Sequence, residues 1–199
     1  MRIEDGRVRL LDGHLARLEG SAQRLGIAVD LEDVRQRVED AAGERGAAGL
    51  RLTAGTGGVD LEAFPLPSAP LRTAWVDLEP VLEAGTWRCT CKTTARAHYR
   101  ARLGRAHARG ADEAILVNER GEVTEGTRTN VWAEIDGRLW TPPLEAGGLG
   151  GVYRAHVLKV NPRAGERTLT PPDLAAADAV YLSNALRGWM PVSDLEGAG

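Results

Sequence analysis

Apolar positions draw the first outline of the chain. Ile3 and the group Val8, Leu10 and Leu11 flank Asp5-Gly6, and the glycine supplies the positive φ that a tight hairpin turn needs. Leu15, Leu18, Ala22 and Leu25 recur at spacings of three, four and three, which predicts a helix capped by Asp12 and ended by Gly26. Leu31, Val34, Val38 and Ala41 predict a second helix, followed by a loop over residues 43–49. Alternation over residues 50–54 and 59–63, on either side of glycine-rich residues 55–58, predicts two strands and a turn. Because no helix follows those glycines, a hairpin fits them better than a phosphate loop.

Residues 64–70 hold three of the ten prolines and make the best linker in the chain. The sequence therefore predicts a small N-terminal α/β domain over residues 1–66 and a larger C-terminal domain over 67–199. In the larger domain, strands are expected at 71–77, 87–91, 114–117, 129–135, 138–141 and 179–183, with Val123 resuming a strand after the turn at 118–121. Asp136-Gly137 repeats the hairpin signal of the N-terminus. A helix over 94–109 would bury Ala95, Tyr99, Leu103 and Ala106, and another begins at about residue 152 and runs to 159.

Charge and composition narrow the function classes. The formal net charge is −3, so no global basic field favours nucleic acid or an anionic membrane. Arg96, Arg100, Arg102, Arg105 and Arg109 crowd one helix, but no aromatic residues interleave them, and they read as a solvated face. No apolar run approaches a membrane span, and the N-terminus lacks a signal peptide's apolar region. The only cysteines, Cys89 and Cys91, read as buried reduced thiols, and two do not make a zinc site. A cytoplasmic protein with no metal, membrane or nucleic-acid partner is expected.

The candidate chemistry centres on Lys92, the only lysine among residues 1–158 of an arginine-rich chain. An amine forms Schiff bases and shifts its pKa on burial, whereas a guanidinium does neither. Thirty-three residues on stands Glu125; spacing alone fits a surface lysine and a surface glutamate equally well. Arg17 lies beside the apolar stripe of the first helix, where a solvated arginine is the plain reading. Glycines among residues 147–151 precede a helix, an arrangement that can present backbone N–H groups to an anion but that helix entry alone also explains.

The ordered series His14-Leu-Ala-Arg-Leu18, Lys92, Gly110-Ala-Asp-Glu-Ala114, Gly121-Glu-Val-Thr-Glu-Gly-Thr-Arg-Thr-Asn130, Thr141-Pro-Pro143, Gly151-Val-Tyr-Arg154 and Ser183-Asn with Pro191-Val192 resembles the class IV aminotransferases. These are the fold-type IV pyridoxal 5′-phosphate (PLP) enzymes. The resemblance implies an α/β (α+β) fold with a pseudo-barrel C-terminal domain that binds PLP, and a homodimer acting on a small-molecule amino substrate. It implies Lys92 as the Schiff-base lysine and general base, and Glu125 as the partner of the pyridine nitrogen. It gives the phosphate to Arg17, to the backbone at Val152 and Tyr153, and to the turn at Asn184 and Ala185.

Within the family the match is nearest to 4-amino-4-deoxychorismate lyase, which releases pyruvate and 4-aminobenzoate for folate synthesis. Branched-chain enzymes carry a tyrosine five residues after the lysine and tend to carry a threonine in the last turn, where this chain has Ala97 and Ala185. Two alternatives stand beside the lyase. One is an aminotransferase moving an amino group between an amino acid and a 2-oxo acid. The other is a truncated, idle PLP-binding member, motivated by the absence of the family's upstream strand. Tyr99, Arg51 and Arg187 have open roles, either arginine being a candidate for a substrate carboxylate.

Overall fold

A computed structural model describes residues 1–43, 45–81 and 86–199 of the chain. It divides into two compact units, Met1–Ser68 with Ala185–Arg187, and Ala69–Asn184 with Gly188–Gly199. The sequence placed its boundary two residues earlier, and nothing local in the sequence assigns residues 185–187 to the first unit.

In the first unit, β1 (Arg2–Glu4) and β2 (Arg7–Val8) form a hairpin through Asp5 and Gly6, whose φ values of 49° and 71° are the left-handed pair of a type I′ turn. Then come α1 (Leu11–Leu25), α2 (Leu31–Gly43), β3 (Ala48–Gly55) and β4 (Gly58–Phe64). Of the loop expected at 43–49, residue 44 lies outside the described residues. The sheet runs β2-β1-β3-β4, antiparallel throughout. Ile3, Leu15, Val34, Val38, Ala42 and Leu50 form its core, so both helix stripes bury against one face of the sheet.

Two caps differ from the sequence expectation. α1 follows Leu10, itself left-handed at φ 56°, so Asp12 sits inside the first turn and pairs with Arg35 of α2 at 2.8 Å. Asp30 caps α2, its carboxylate accepting from the backbone N–H of Glu32 at 3.0 Å and Asp33 at 3.2 Å. Arg51, one of the open candidates, pairs across the strands with Glu62 at 2.6 Å on the exposed face of β3 and β4.

The second unit contains β5 (Thr73–Val81), the single turn α3 (Trp87–Thr90), α4 (Ala97–His107), β6 (Glu113–Asn118), β7 (Val123–Gly126), β8 (Asn130–Ile135) and β9 (Arg138–Thr141). α5 (Val152–Val160), β10 (Ala164–Glu166), α6 (Pro171–Ala175), β11 (Ala179–Asn184), β12 (Gly188–Pro191) and β13 (Asp194–Glu196) complete it. Two sheets result, ordered β13-β5-β6-β7 and β10-β9-β8-β11-β12. Val76, Ile115, Val117, Val131, Ala133, Leu182 and Met190 pack between them. The alternate residues of β6, Ala114 and Leu116, meet Tyr99 and Ala106 of α4, while Trp132 of β8 meets Val157 of α5. Strands buried on both faces read as continuous apolar runs, which is why residues 114–117 stand out in the sequence.

The α4 arginines are not a uniformly solvated face. Arg102 is buried where Leu103 was expected, and its guanidinium pairs with the buried Asp77 at 3.1 Å while donating to the carbonyls of Glu79 and Pro80. Arg105 joins Asp77 and Glu79, and Arg109 lies over the Trp75 ring at 4.3 Å. A long-range acidic partner buries a residue that helix periodicity puts outside.

Candidate active site

Lys92 follows a helical turn instead of the strand expected over 87–91. The backbone N–H groups of Cys89 and Thr90 donate to the Thr86 carbonyl at 3.1 and 3.0 Å, the Thr90 hydroxyl donates to the same oxygen at 3.0 Å, and Cys91 N–H donates to Trp87. Cys91 is extended at φ −102° and ψ 138°. A turn followed by one extended residue buries both Cys89 and Cys91, which over five residues mimics the alternation of a strand. Lys92 emerges exposed beyond them.

Glu125 sits on β7 with only 5% of its surface exposed. The Tyr99 hydroxyl donates to its Oε1 at 2.6 Å, and the backbone N–H of Leu149 donates to the same carboxylate. Burial raises its pKa above the ordinary glutamate range, and Tyr99, Arg96, Leu149 and Lys92 each oppose that rise. Lys92 and Glu125 thus lie within electrostatic reach of each other. Tyr99 is 3% exposed, and burial next to the carboxylate raises its own pKa too. The Arg96 guanidinium stands 3.9 Å from the Tyr99 ring centre and donates to the Thr127 carbonyl at 2.6 Å.

The loop leaving Glu125 rests on a second carboxylate. Glu113, fully buried at the start of β6, accepts from the backbone N–H of Ala114, Thr127 and Arg128, each at 3.1 Å, and from the hydroxyls of Thr127 and Thr129. A carboxylate with this many donors fixes the path of residues 126–130. A Cβ on Gly126 would fall 2.2 Å from Thr129 Oγ1, so only glycine fits the close return.

The approach to α5 is laced to the same place. Asn130 Nδ2 donates to the Leu149 carbonyl at 3.0 Å. A Cβ on Gly148 would meet the Thr124 carbonyl at 2.9 Å, and one on Gly151 would meet Asn130 Oδ1 at 1.8 Å. Gly151 brings no side-chain cap to α5, whose first residues are Val152 and Tyr153. The leading N–H groups of that helix therefore have no side-chain cap, an arrangement that can receive an anion. Asn184, at the end of β11, donates through Nδ2 to the Arg128 carbonyl at 3.3 Å. The second unit thus links Glu125, the start of α5 and Asn184 through Leu149, Asn130 and the loop on Glu113, with Lys92 in electrostatic reach of Glu125. Arg17 is half-buried on α1, and Arg17, Ala185 and Arg187 belong to the first unit.

Sequence reasoning left Tyr99 open and took Arg96 as part of a solvated face. Arg96, the N-cap of α4, and Tyr99, three residues on, stand four and seven residues after Lys92, and that spacing was the available signal. Among the described residues no group of three or more His, Cys, Asp or Glu could hold a metal ion, and no helix is long and apolar enough to cross a membrane.

The family model for amino-transferase class IV matches residues 1–195. A Schizosaccharomyces pombe protein named "Putative aminodeoxychorismate lyase" is 32% identical over 79% of this chain and 71% of its own. A solved Mesorhizobium loti structure, a "Putative amino-acid aminotransferase", superposes with a TM-score of 0.86 at 36% identity, covering 98% of this chain and 96% of that one. The PLP-bound form of "a hypothetical aminotransferase from Mycobacterium tuberculosis" gives a TM-score of 0.87 at 25% identity, covering 99% and 80%. The chain belongs to the class IV aminotransferase family and is an enzyme of that fold.

Proposed function

We propose that this chain is a 4-amino-4-deoxychorismate lyase that uses PLP, releasing pyruvate and leaving 4-aminobenzoate for folate synthesis. The donor set suits the cofactor: an exposed lysine at Lys92, a buried carboxylate at Glu125 with lone-pair capacity beyond the Tyr99 and Leu149 donors, and a helix start at Val152 and Tyr153 with no side-chain cap. When bound, PLP supplies an electron sink for the pair left behind as the substrate's proton departs. Lys92 Nζ would hold the cofactor and would then move the proton from the amine-bearing carbon to the three-carbon group as the C–O bond joining that group to the ring breaks. Glu125 would meet the ring nitrogen, and a protonated nitrogen there would join Tyr99, Arg96, Leu149 and Lys92 in favouring the charged carboxylate. Family resemblance adds Arg17 and the turn at Asn184 and Ala185 to the phosphate, makes the second unit the cofactor-binding domain, and implies a homodimer.

Ala97 is the observation that favours the lyase over a branched-chain enzyme. It opens α4 five residues after Lys92 with no ring to lay on a cofactor, and the nearby tyrosine, Tyr99, is turned to Glu125. The Schizosaccharomyces pombe relative supports the same choice. An aminotransferase is the second reading, supported by the names of the two structural neighbours.

The test is pyruvate release from 4-amino-4-deoxychorismate with no 2-oxo acid present, with Lys92→Ala as the dead control. Turnover that requires 2-oxoglutarate would replace the lyase with the aminotransferase. No turnover, together with no lysine-dependent absorbance band on adding PLP, would leave the idle binding protein.

A further inference from the structure

We propose that Tyr99 and Arg96 are a positioning pair for Glu125, fixing both the direction and the charge of the carboxylate that meets the cofactor's ring nitrogen. The inference rests on the role of Glu125 proposed above. Tyr99 reaches Glu125 from α4 through a 2.6 Å hydrogen bond between two side chains that are each at most 5% exposed. Its ring cannot swing away: Cys89, Ala106 and Leu116 pack in the same cluster, and the Arg96 guanidinium covers the ring at 3.9 Å. Arg96 is held in turn by the Thr127 carbonyl, two residues beyond Glu125, so it ties the start of α4 to the exit of β7.

The need for such a pair is physical. A carboxyl sealed from water takes up a proton unless donors or cations favour the ion. A neutral Glu125 would leave the ring nitrogen without an anionic partner and weaken the electron sink. The groups acting on Glu125 are the Tyr99 hydroxyl from α4, Arg96 at its N-cap, Lys92 from the segment before it, and the Leu149 N–H from the approach to α5. Cys89 bears on Tyr99 from α3. Lys92 and Leu149 already have other tasks, the amine chemistry and the entry to α5. Tyr99 and Arg96 are left as the two side chains whose placement is explained by Glu125. Arg96 and Tyr99 stand four and seven residues after Lys92, so the helix that follows the reactive amine, with its N-cap residue, also carries the support for its partner carboxylate.

Infrared difference spectra of the cofactor-free protein test the pair without any catalysis. The carbonyl stretch of a protonated carboxyl is followed against pH, and Glu125→Gln identifies which band belongs to Glu125. In Tyr99→Phe, which keeps the ring, that band is expected to titrate about one pH unit higher, as befits loss of a hydrogen bond to a charged group. Arg96→Gln should move it the same way, and Arg96→Lys should restore most of the wild-type position. In the holoenzyme, Tyr99→Phe should weaken PLP binding about tenfold, the same free energy expressed as affinity. An unmoved Glu125 titration in both Tyr99→Phe and Arg96→Gln, with circular dichroism showing each folded, would overturn the proposal. A Glu125→Gln holoenzyme with wild-type PLP affinity and spectrum would instead remove the role of Glu125 itself, a separate failure that the infrared titration does not share.

Discussion

Glu125 carries a pH dependence of stability that can be worked out by sign. Burial raises its folded-state pKa above the ordinary glutamate value of 4.5. Between those two values the folded chain binds more protons than the unfolded chain, so this stability is complete below the ordinary value and is lost as pH rises through the raised one. Glu125→Gln in the cofactor-free protein should therefore melt higher than wild type at pH 8 and lose that advantage near pH 4.5. Paired thermal melts at the two pH values check this, and an equal advantage at both would contradict it. Lys92 was legible as a lone amine among arginines, and Glu125 within a motif. The bond from Tyr99 to Glu125 was not, because no sequence periodicity links a helix residue to a strand residue 26 positions away.

Whether an element can be read from sequence depends on how local its cause is. Asp5-Gly6 and Asp136-Gly137 both take positive φ at both positions, as their composition dictates. The turn at 87–90 and the burial of Arg102 were misread, one because five residues are too few to separate periods, the other because Asp77 lies far off in sequence. The approach to α5 makes an element-level prediction. Gly151→Ala would force a Cβ onto Asn130 and should cost roughly 1–3 kcal/mol and weaken PLP binding. Gly150→Ala meets only Leu144 at 3.7 Å and should stay within about 0.5 kcal/mol of wild type. Urea unfolding of the two variants side by side decides it; equal losses would mean that the Asn130 contact does not set the start of α5.

At the scale of the molecule, the layered second unit follows from strands apolar on both faces and helices apolar on one. The membership of residues 185–187 in the first unit depends on tertiary contacts that leave no mark on local pattern. The proposed homodimer belongs to this scale as well. Light scattering on the PLP-loaded protein at micromolar concentration should give twice the chain mass, and a single-chain mass under conditions of full turnover would rule the assembly out.

Cys89 and Cys91 are sealed to 3% and 4% exposure within three residues of Lys92. A thiol reacts with an external reagent only as an accessible thiolate. Their modification is therefore expected to wait on local opening of the turn and of the extended residue that lead to the amine. The chain carries its own clock for that motion, readable from the rate at which a thiol dye takes colour, with no label to introduce.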